Sequence, residues 1–384
     1  MNVVRSKNGS ALGPLTVKTV TAAERDILQE QAFVRMISLE RKRSERSRKP
    51  FVLMLLDMGR PLAAGKSDKA LTKILAALAV TTRETDVTGW YKNNFMVGVM
   101  FTEIGAEDRD RIVSTMVARV SETLREHLTA EQFQQLSVSF HVYPEDWDHD
   151  ASTRPSNPAL YPDLSDRDKT RQGSNALKRM MDISGSVLAL IFLAPAFLAI
   201  AAAVRFTSKG PVFFRQKRIG QYGAPFVFLK FRSMYVNNDS AIHQEYVKKL
   251  IAGTAQANSA EGDGEKIYKL TRDPRITPVG AFLRKTSLDE LPQFLNVLMG
   301  EMSLVGPRPP VPYEVEAYDV WHRRRLLEAK PGITGLWQVS GRCRVKFDDM
   351  VRLDLHYARY RSPWLDLKIL ARTPAAVVTG DGAM

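Results

Sequence analysis

Cysteine is nearly absent from this chain. One residue, Cys343, in 384 excludes a disulfide framework and any cysteine-built zinc site. It lies between Arg342 and Arg344 without a base or partner motif, and reads as inert. The six histidines (His127, His141, His149, His243, His322 and His356) lack metal-ligand spacing on one helix and read as structural or surface residues. The first twenty residues hold no apolar run, so no cleavable signal peptide is expected. With 44% hydrophobic residues the chain is neither disordered nor a polytopic membrane protein, and its length suits two or three folded units. Acidic residues are in deficit, 42 against 55 basic, for a net charge of +13. The excess is not spread evenly. Residues 1–150 carry 21 basic and 20 acidic residues, and the remainder carries 34 and 22. The C-terminal part therefore calls for an anionic partner: nucleic acid, a lipid surface or a phosphorylated substrate.

The first 150 residues read as an α+β unit. Residues 22–48 predict a helix with a basic end, and FVLMLLD (51–57) a buried strand. Helical spacing follows over 67–82, then two strand-like runs joined around Lys92-Asn93-Asn94. An amphipathic helix over 106–128 and a strand over 136–143 complete the order β-α-β-β-α-β. That order predicts a ferredoxin-like antiparallel sheet with helices on one face. With Asp57 closing the first strand and Arg83 and Asp86 before the hairpin, the region (22–150) resembles the GGDEF nucleotidyl-cyclase domain. Where that family carries Gly-Gly-Asp/Glu-Glu-Phe, this chain has Tyr91-Lys92-Asn93-Asn94-Phe95. The glycines that admit phosphate and the carboxylates that hold metal are missing. The resemblance thus implies a degenerate, catalytically dead domain serving regulation or assembly.

Residues 151–176, with Pro155, Pro158 and Pro162 among polar residues, read as a linker. Residues 183–204 then run 22 positions without a charge. A straight helix of that length would rise ~33 Å, enough for a bilayer core of ~30 Å. Basic residues flank both ends, however, and positive flanks stay cytoplasmic. Pro195, near the middle, removes a backbone hydrogen bond and kinks the helix. Two half-helices of about 11 residues each, entering one leaflet and returning, are expected rather than a span.

Beyond this segment, residues 205–232 hold seven basic residues and no acidic one, among them Lys230 and Arg232. Glycines at 210, 220 and 223 punctuate a predicted β-hairpin that presents cations to lipid headgroups, to phosphates, or to both. The densest constellation is TRDPRITPVGAFLRKTSLDELPQFLNVLMGEMSLVGPRPP, from Thr271 to Pro310. Within it Ser287 and Glu290 have capping-box spacing, and Pro292 supports a helix start near 287–289. The same geometry also suits chemistry. A helix N-terminus favours phosphate and an ionised carboxylate, as a nucleophile or metal ligand requires. Arg284 lies five residues upstream of Asp289, and Pro307 and Pro309 restrict the backbone of Arg308, which lowers the entropy lost in fixing it on an oxyanion. The paired carboxylates of Asp289 and Glu290 also suit Mg²⁺, which bridges phosphates through one or two carboxylates.

From about Lys178 onward the chain resembles the bacterial sugar transferases, the monotopic phosphoglycosyl transferases that act on polyprenyl phosphate. The matching segments are KRMMDISGS, GPVFFRQKRIG, KFRSM, DPRITPVG, LRKTSLDELPQFLNVLMGEMSLVGPRP, KPGITGLWQVSGR and SPWLDLKIL, in that order. The resemblance implies a mostly helical catalytic domain (177–384) with a re-entrant membrane helix. Both domains would face the cytoplasm at the bacterial inner membrane. It further implies transfer of a hexose 1-phosphate from a UDP-sugar to undecaprenyl phosphate, with release of UMP, as the first membrane step of exopolysaccharide or other surface-glycan assembly. By motif, Asp289 would be the nucleophile, forming a covalent phospho-aspartate, and Glu290 its partner in metal binding or acceptor deprotonation. Arg284, Arg308, Lys230 and Arg232 would bind phosphates. Two departures stand out: Ala194-Pro195 replaces the family's frequent Ser-Pro, and no N-terminal transmembrane helices appear.

Three smaller features complete the reading. Residues 241–266 look like a mobile loop, and 313–330 like an amphipathic helix whose Trp321 and Arg323 to Arg325 could rest on headgroups. The loop from Lys330-Pro331-Gly332 to Gly341-Arg342, with Trp337, is either a tight turn around a core tryptophan or part of a nucleotide or sugar site. Competing classes are a membrane-anchored regulator with an inactive transferase domain and a basic nucleic-acid-binding protein. The intact acidic pair and arginines argue against the first. An uncharged 22-residue segment and no nucleic-acid motif argue against the second. The expected partners are therefore UDP-sugar, undecaprenyl phosphate and membrane lipids, without nucleic acid. A homodimer is left open.

Overall fold

The computed structural model describes residues 27–59, 68–102, 104, 109–145, 157–236, 241–253, 258–259, 266–267, 275–341 and 345–378. Cys343 and its two arginines lie outside them, as do most of the acidic and polar residues of 254–265. The chain divides into two compact units, Met1–Tyr143 and Pro144–Met384.

In the first unit the helix α1 (Glu30–Ser47) precedes β1 (Phe51–Asp57), α2 (Asp68–Thr81), β2 (Val87–Lys92), β3 (Met96–Phe101), α3 (Arg109–His127) and β4 (Ser137–Tyr143). The sheet runs β2-β3-β1-β4, with every neighbouring pair antiparallel. This is the ferredoxin-like order read from the sequence. One expectation fails: helices cover both faces. Val52, Met54 and Leu56 of β1 pack with Ile74, Leu78, Val120 and Leu124 of α2 and α3. Alternation turns Leu53 and Leu55 to the opposite face, where α1 lies. There Phe33 sits so close to the sheet that a Cβ at Gly89 or Gly98 would meet its ring at 2.5 or 2.3 Å. A strand buried on both faces reads as an unbroken apolar run, as FVLMLL does. The hairpin turn falls where predicted, with Asn94 at φ 62.

The second unit begins earlier than the sequence suggested. Far from being linker, residues 158–170 form a 3₁₀ turn and the helix α4 (Pro162–Thr170), and Leu160 is fully buried. Proline stands at the first position of each, where its missing N–H is no loss, and the Asn157 side chain accepts from the backbone N–H of Ala159. Ion pairs from Arg167 to Glu328 (3.3 Å) and from Arg361 to Asp168 (2.8 Å) pin α4 to its unit.

Next come α5 (Gln172–Phe192) and α6 (Ala194–Thr207), bent by 64° at Leu193. The break lies where Pro195 predicted it, because a proline fits the first turn of a new helix better than the interior of an old one. The two helices differ in length, 21 and 14 residues, since α5 starts well before the uncharged stretch. Its N-terminal half is clamped to the unit. Lys178 Nζ donates to Asp366 at 2.6 Å and to Tyr357 and the Val305 carbonyl, both at 3.1 Å. Arg179 donates to the carbonyls of Val297 and Leu298 at 2.6 and 2.8 Å. Buried Asp182 accepts from the Ser303 hydroxyl and the Leu304 N–H, both at 2.9 Å. Beyond Asp182 the pair presents apolar side chains outward, with Phe192 77% and Leu198 71% exposed. No helix among the described residues is long and apolar enough to cross a membrane alone.

A hairpin follows, β5 (Phe213–Ile219) paired in full register with β6 (Pro225–Phe231). The predicted loop over 241–266 instead opens with α7 (Ala241–Ile251). Then come α8 (Pro278–Lys285), α9 (Gln293–Met299), β7 (Ser303–Val305), α10 (Pro312–Glu316), α11 (Val320–Glu328), β8 (Gly332–Thr334), α12 (Leu336–Ser340), α13 (Phe347–Tyr360) and α14 (Pro363–Val378). The core between the hairpin, α9, β7, α13 and α14 holds Phe226, Phe228, Val297, Met302, Val305, Tyr357 and Ile369. Residues 313–330 form two helices, not one amphipathic surface. Trp321 packs, partly buried, with Val315, Tyr318, Leu326 and Phe347, and Arg325 is buried against Asp354 at 2.7 Å, so Arg325 does not rest on headgroups.

Candidate active site

The acidic pair sits at a sharp change of direction. Helix α8 ends at Lys285, Ser287 takes a left-handed φ of 56, and Leu288–Glu290 make a single 3₁₀ turn. Helix α9 starts after Pro292. The predicted capping box is therefore absent, because a left-handed Ser287 does not aim its hydroxyl at the N–H groups that follow, and no side-chain cap forms. What the turn does is bring Asp289 to a nearly buried position, 6% exposed, on the wall of a cleft of about 880 Å³.

Lys230, on β6, faces the pair. Its Nζ donates to Glu290 Oε1 at 2.6 Å and lies 3.4 Å from Asp289 Oδ2. The register that makes this possible is set by Asn296 on α9, fully buried. Its amide donates to the Val227 carbonyl at 2.7 Å, and its carbonyl accepts from the Leu229 N–H at 3.1 Å. The helix that follows the acidic pair thus grips the strand that carries the lysine. Asn296 escaped the sequence reading; a polar residue inside QFLNVLMG, an otherwise apolar helical run, was the available signal.

The electrostatics differ between the two acids. Burial pushes the Asp289 carboxyl above the ordinary carboxylate range, and Lys230 only partly offsets it while Glu290 adds to it. Burial acts on Glu290 as well, but Lys230, Arg218 and Arg308 outweigh it and hold that carboxyl below its ordinary value. Ionising Asp289 therefore costs stability as the pH rises through its raised pKa, and Glu290 contributes stability that is lost as the pH falls through its lowered one.

Seven basic residues line the cleft (Arg215, Arg218, Lys230, Arg232, Arg275, Arg284 and Arg308), with Asp289 the one acid among its lining residues. The side chain of Arg284, in the last turn of α8, makes no hydrogen bond among the described residues. Arg308, just past β7, leaves 39% of its side chain exposed. Arg218 is buried, with its guanidinium over the Phe228 ring at 4.2 Å, and burial beside Arg308 lowers it to about 10. Arg232 departs from its expected role as a phosphate ligand. Both its terminal nitrogens donate to the C-terminal end of α6: Nη2 to Val204 and Ser208 at 3.2 and 2.7 Å, Nη1 to Lys209 at 3.1 Å. A helix C-terminus offers unpaired carbonyls and negative potential, and Arg232 satisfies both. It ties the bent helix pair to the hairpin. Trp337 lies on the short helix α12 and does not line this cleft.

No group of three or more His, Cys, Asp or Glu side chains converges among the described residues. An all-protein metal cage is thus not what Asp289 and Glu290 offer. Two hard carboxylates beside a cation-lined cleft do fit Mg²⁺, which keeps waters and completes its shell with substrate phosphates.

The sequence pattern of the bacterial sugar transferase family matches residues 173–380. The chain is 44% identical over 207 residues to the galactosyl transferase CpsE of Streptococcus agalactiae, covering 54% of this chain and 43% of that one. It is 45% identical over 215 residues to the undecaprenyl-phosphate galactose phosphotransferase of Salmonella typhimurium, covering 56% and 43%. This chain therefore spans less than half the length of those two relatives. A solved structure described as a DGC protein from Thermotoga maritima is similar at 20% identity with a TM-score of 0.27, covering 33% of this chain and 88% of its own.

Replacing Lys230 by Met should move the Asp289 titration to higher pH and Glu290 upward with it. Carboxyl-labelled NMR of the wild type and variant reads both; an Asp289 titration left in place would show that Lys230 does not control the pair.

Proposed function

This chain belongs to the bacterial sugar transferase family, and on that premise we propose that its second unit transfers a hexose 1-phosphate from a UDP-sugar to undecaprenyl phosphate. The observation that carries this reading is the buried Asp289, held by Lys230 in a cleft lined with arginines. Undecaprenyl-phosphate galactose and glucose phosphotransferases and two exopolysaccharide production proteins among its relatives support the substrate classes and a place at the start of surface-glycan assembly.

The ionised Asp289 attacks the β-phosphorus of the UDP-sugar. The bond from that phosphorus to the bridging oxygen breaks, UMP leaves with its electron pair, and the sugar phosphate stays on the carboxylate. A phosphate oxygen of undecaprenyl phosphate then attacks the same phosphorus and displaces Asp289, giving the diphosphate-linked lipid sugar and ping-pong kinetics. Glu290 takes a proton from the acceptor when it arrives protonated. Lys230, Arg284 and Arg308 neutralise the phosphoryl oxygens, which is most of what such a transfer asks of a protein. Asp289 and Glu290 would hold Mg²⁺, which would supply further charge neutralisation.

The bent pair α5 and α6 enters and leaves one leaflet of the bacterial inner membrane, keeping both units on the cytoplasmic side with the soluble UDP-sugar. Apolar side chains beyond Asp182 and basic residues at both flanks support this placement. The first unit, without the phosphate-binding glycines of the cyclases it resembles, serves regulation or assembly.

Asp289→Asn should lower UMP release from UDP-sugars, with undecaprenyl phosphate and Mg²⁺ present, by more than ~1,000-fold. Near-wild-type turnover would remove Asp289 as nucleophile, and no UMP from wild-type protein with any UDP-sugar would favour an inactive domain. For the topology, single cysteines at Gly173 and Thr207 in a Cys343→Ser background should both label from the cytoplasmic side in inverted vesicles. Labelling from opposite sides would mean a span.

A further inference from the structure

Behind the cation wall of the cleft lies a set of buried charges that the transfer steps do not use. Glu314, on α10, is 5% exposed. Its carboxylate accepts from Arg308 Nη1 at 3.3 and 3.4 Å and from the Val311 N–H at 3.3 Å. On α11, Arg325 donates to the Arg308 carbonyl at 3.0 Å while paired with Asp354, which is 1% exposed. From the other side Arg218 Nη1 donates to the carbonyl of Pro309 at 2.6 Å. Side chain and backbone of Arg308-Pro309 are thus held at three points, from three separate elements.

Removing charged groups from water is costly, and it is tolerated where each charge is paired. Glu314 stays ionised here: burial opposes its charge, but Arg308, Arg218 and Arg325 outweigh burial and lower its pKa. Neither Glu314, Arg325 nor Asp354 lines the cleft, so none of them meets a ligand in it. Arg308 does line it, and its Nε and Nη2 donate to no described residue. One edge of the guanidinium is fixed from behind while the other stays available to an anion. A planar fork used this way loses little entropy on binding an oxyanion.

We propose that Glu314 is the positioning residue for Arg308, orienting its guanidinium toward the diphosphate of the nucleotide sugar, with the Arg325–Asp354 pair fixing the backbone beneath it. The proposal rests on the transferase reading for the identity of the anion, and on the hydrogen bonds above for the clamp. Glu314 acts through Arg308, so its effect disappears when Arg308 is gone.

A double-mutant cycle in the full-length, detergent-solubilised protein tests this. Wild type, Glu314→Gln, Arg308→Ala and the double variant are compared for kcat/KM of UMP release and for UDP affinity by calorimetry. Glu314→Gln should lower kcat/KM by about 10- to 100-fold, the loss usual for an outer-shell partner, and weaken UDP binding. In the Arg308→Ala background the same change should cost nothing further. Glu314→Asp, which keeps the buried charge, provides the comparison if Glu314→Gln does not fold; its smaller loss should vanish in the same background. An equal loss with and without Arg308 would assign Glu314 a structural role and overturn the proposal, as would unchanged UDP affinity. Wild-type protein that binds UDP but releases no UMP would overturn the transferase reading alone, leaving the affinity cycle to decide the clamp. Wild-type protein that binds no UDP would overturn both.

Discussion

One lysine holds the candidate site together. Asp289 is drawn out of water by the turn that carries it, and its charge is disfavoured there. The ammonium of Lys230 is the nearest compensation, shared with Glu290. Much of the surrounding fold is arranged to deliver that contact. The hairpin β5–β6 supplies the lysine, Asn296 locks the hairpin to α9, and a left-handed Ser287 turns the acidic pair to meet it. A buried carboxylate that is raised yet still paired is suited to the proposed nucleophile, because desolvation leaves it reactive and the lysine keeps it chargeable.

The helix pair shows the same division between fixed and presented surfaces. Lys178, Arg179 and Asp182 anchor the first half of α5, each through charged hydrogen bonds to a different segment of the core. Past Asp182 the side chains turn apolar and exposed. Arg232 then ties α6 to the strand that carries Lys230, two residues away. The apolar pair and the reaction site are therefore mechanically continuous, which suits a proposed reaction whose second substrate is a lipid phosphate.

Much of this was legible in the residues. The order and pairing of the first sheet, the hairpin at residues 92–94 and the break at Pro195 follow from periodicity and turn residues. That Asp289, Lys230, Arg284 and Arg308 line one cleft, with Glu290 on Lys230, was implied by the family resemblance of the motifs that carry them. What escaped was tertiary. Prolines at 158 and 162 look the same in a linker and at a helix start, and only the burial of Leu160 separates the two. That α1 covers the second face of the sheet was implicit in the unbroken run of β1 but not in the order of elements. Arg232 belongs to the same basic stretch as Lys230, yet a helix end claims its donors; local sequence does not say which anion or carbonyl an arginine will meet. Arg325 looked interfacial because burial of an arginine depends on a partner, Asp354, 29 positions away.

The central claim is that Asp289 carries the sugar phosphate during turnover. Mixing the wild-type protein with a UDP-sugar and Mg²⁺ but no lipid phosphate, quenching rapidly and measuring peptide mass tests it directly. The account predicts one equivalent of UMP and a hexose-phosphate adduct on the peptide that contains Asp289, discharged when undecaprenyl phosphate is added. UMP release only after lipid is added, with no adduct on that peptide, would contradict it.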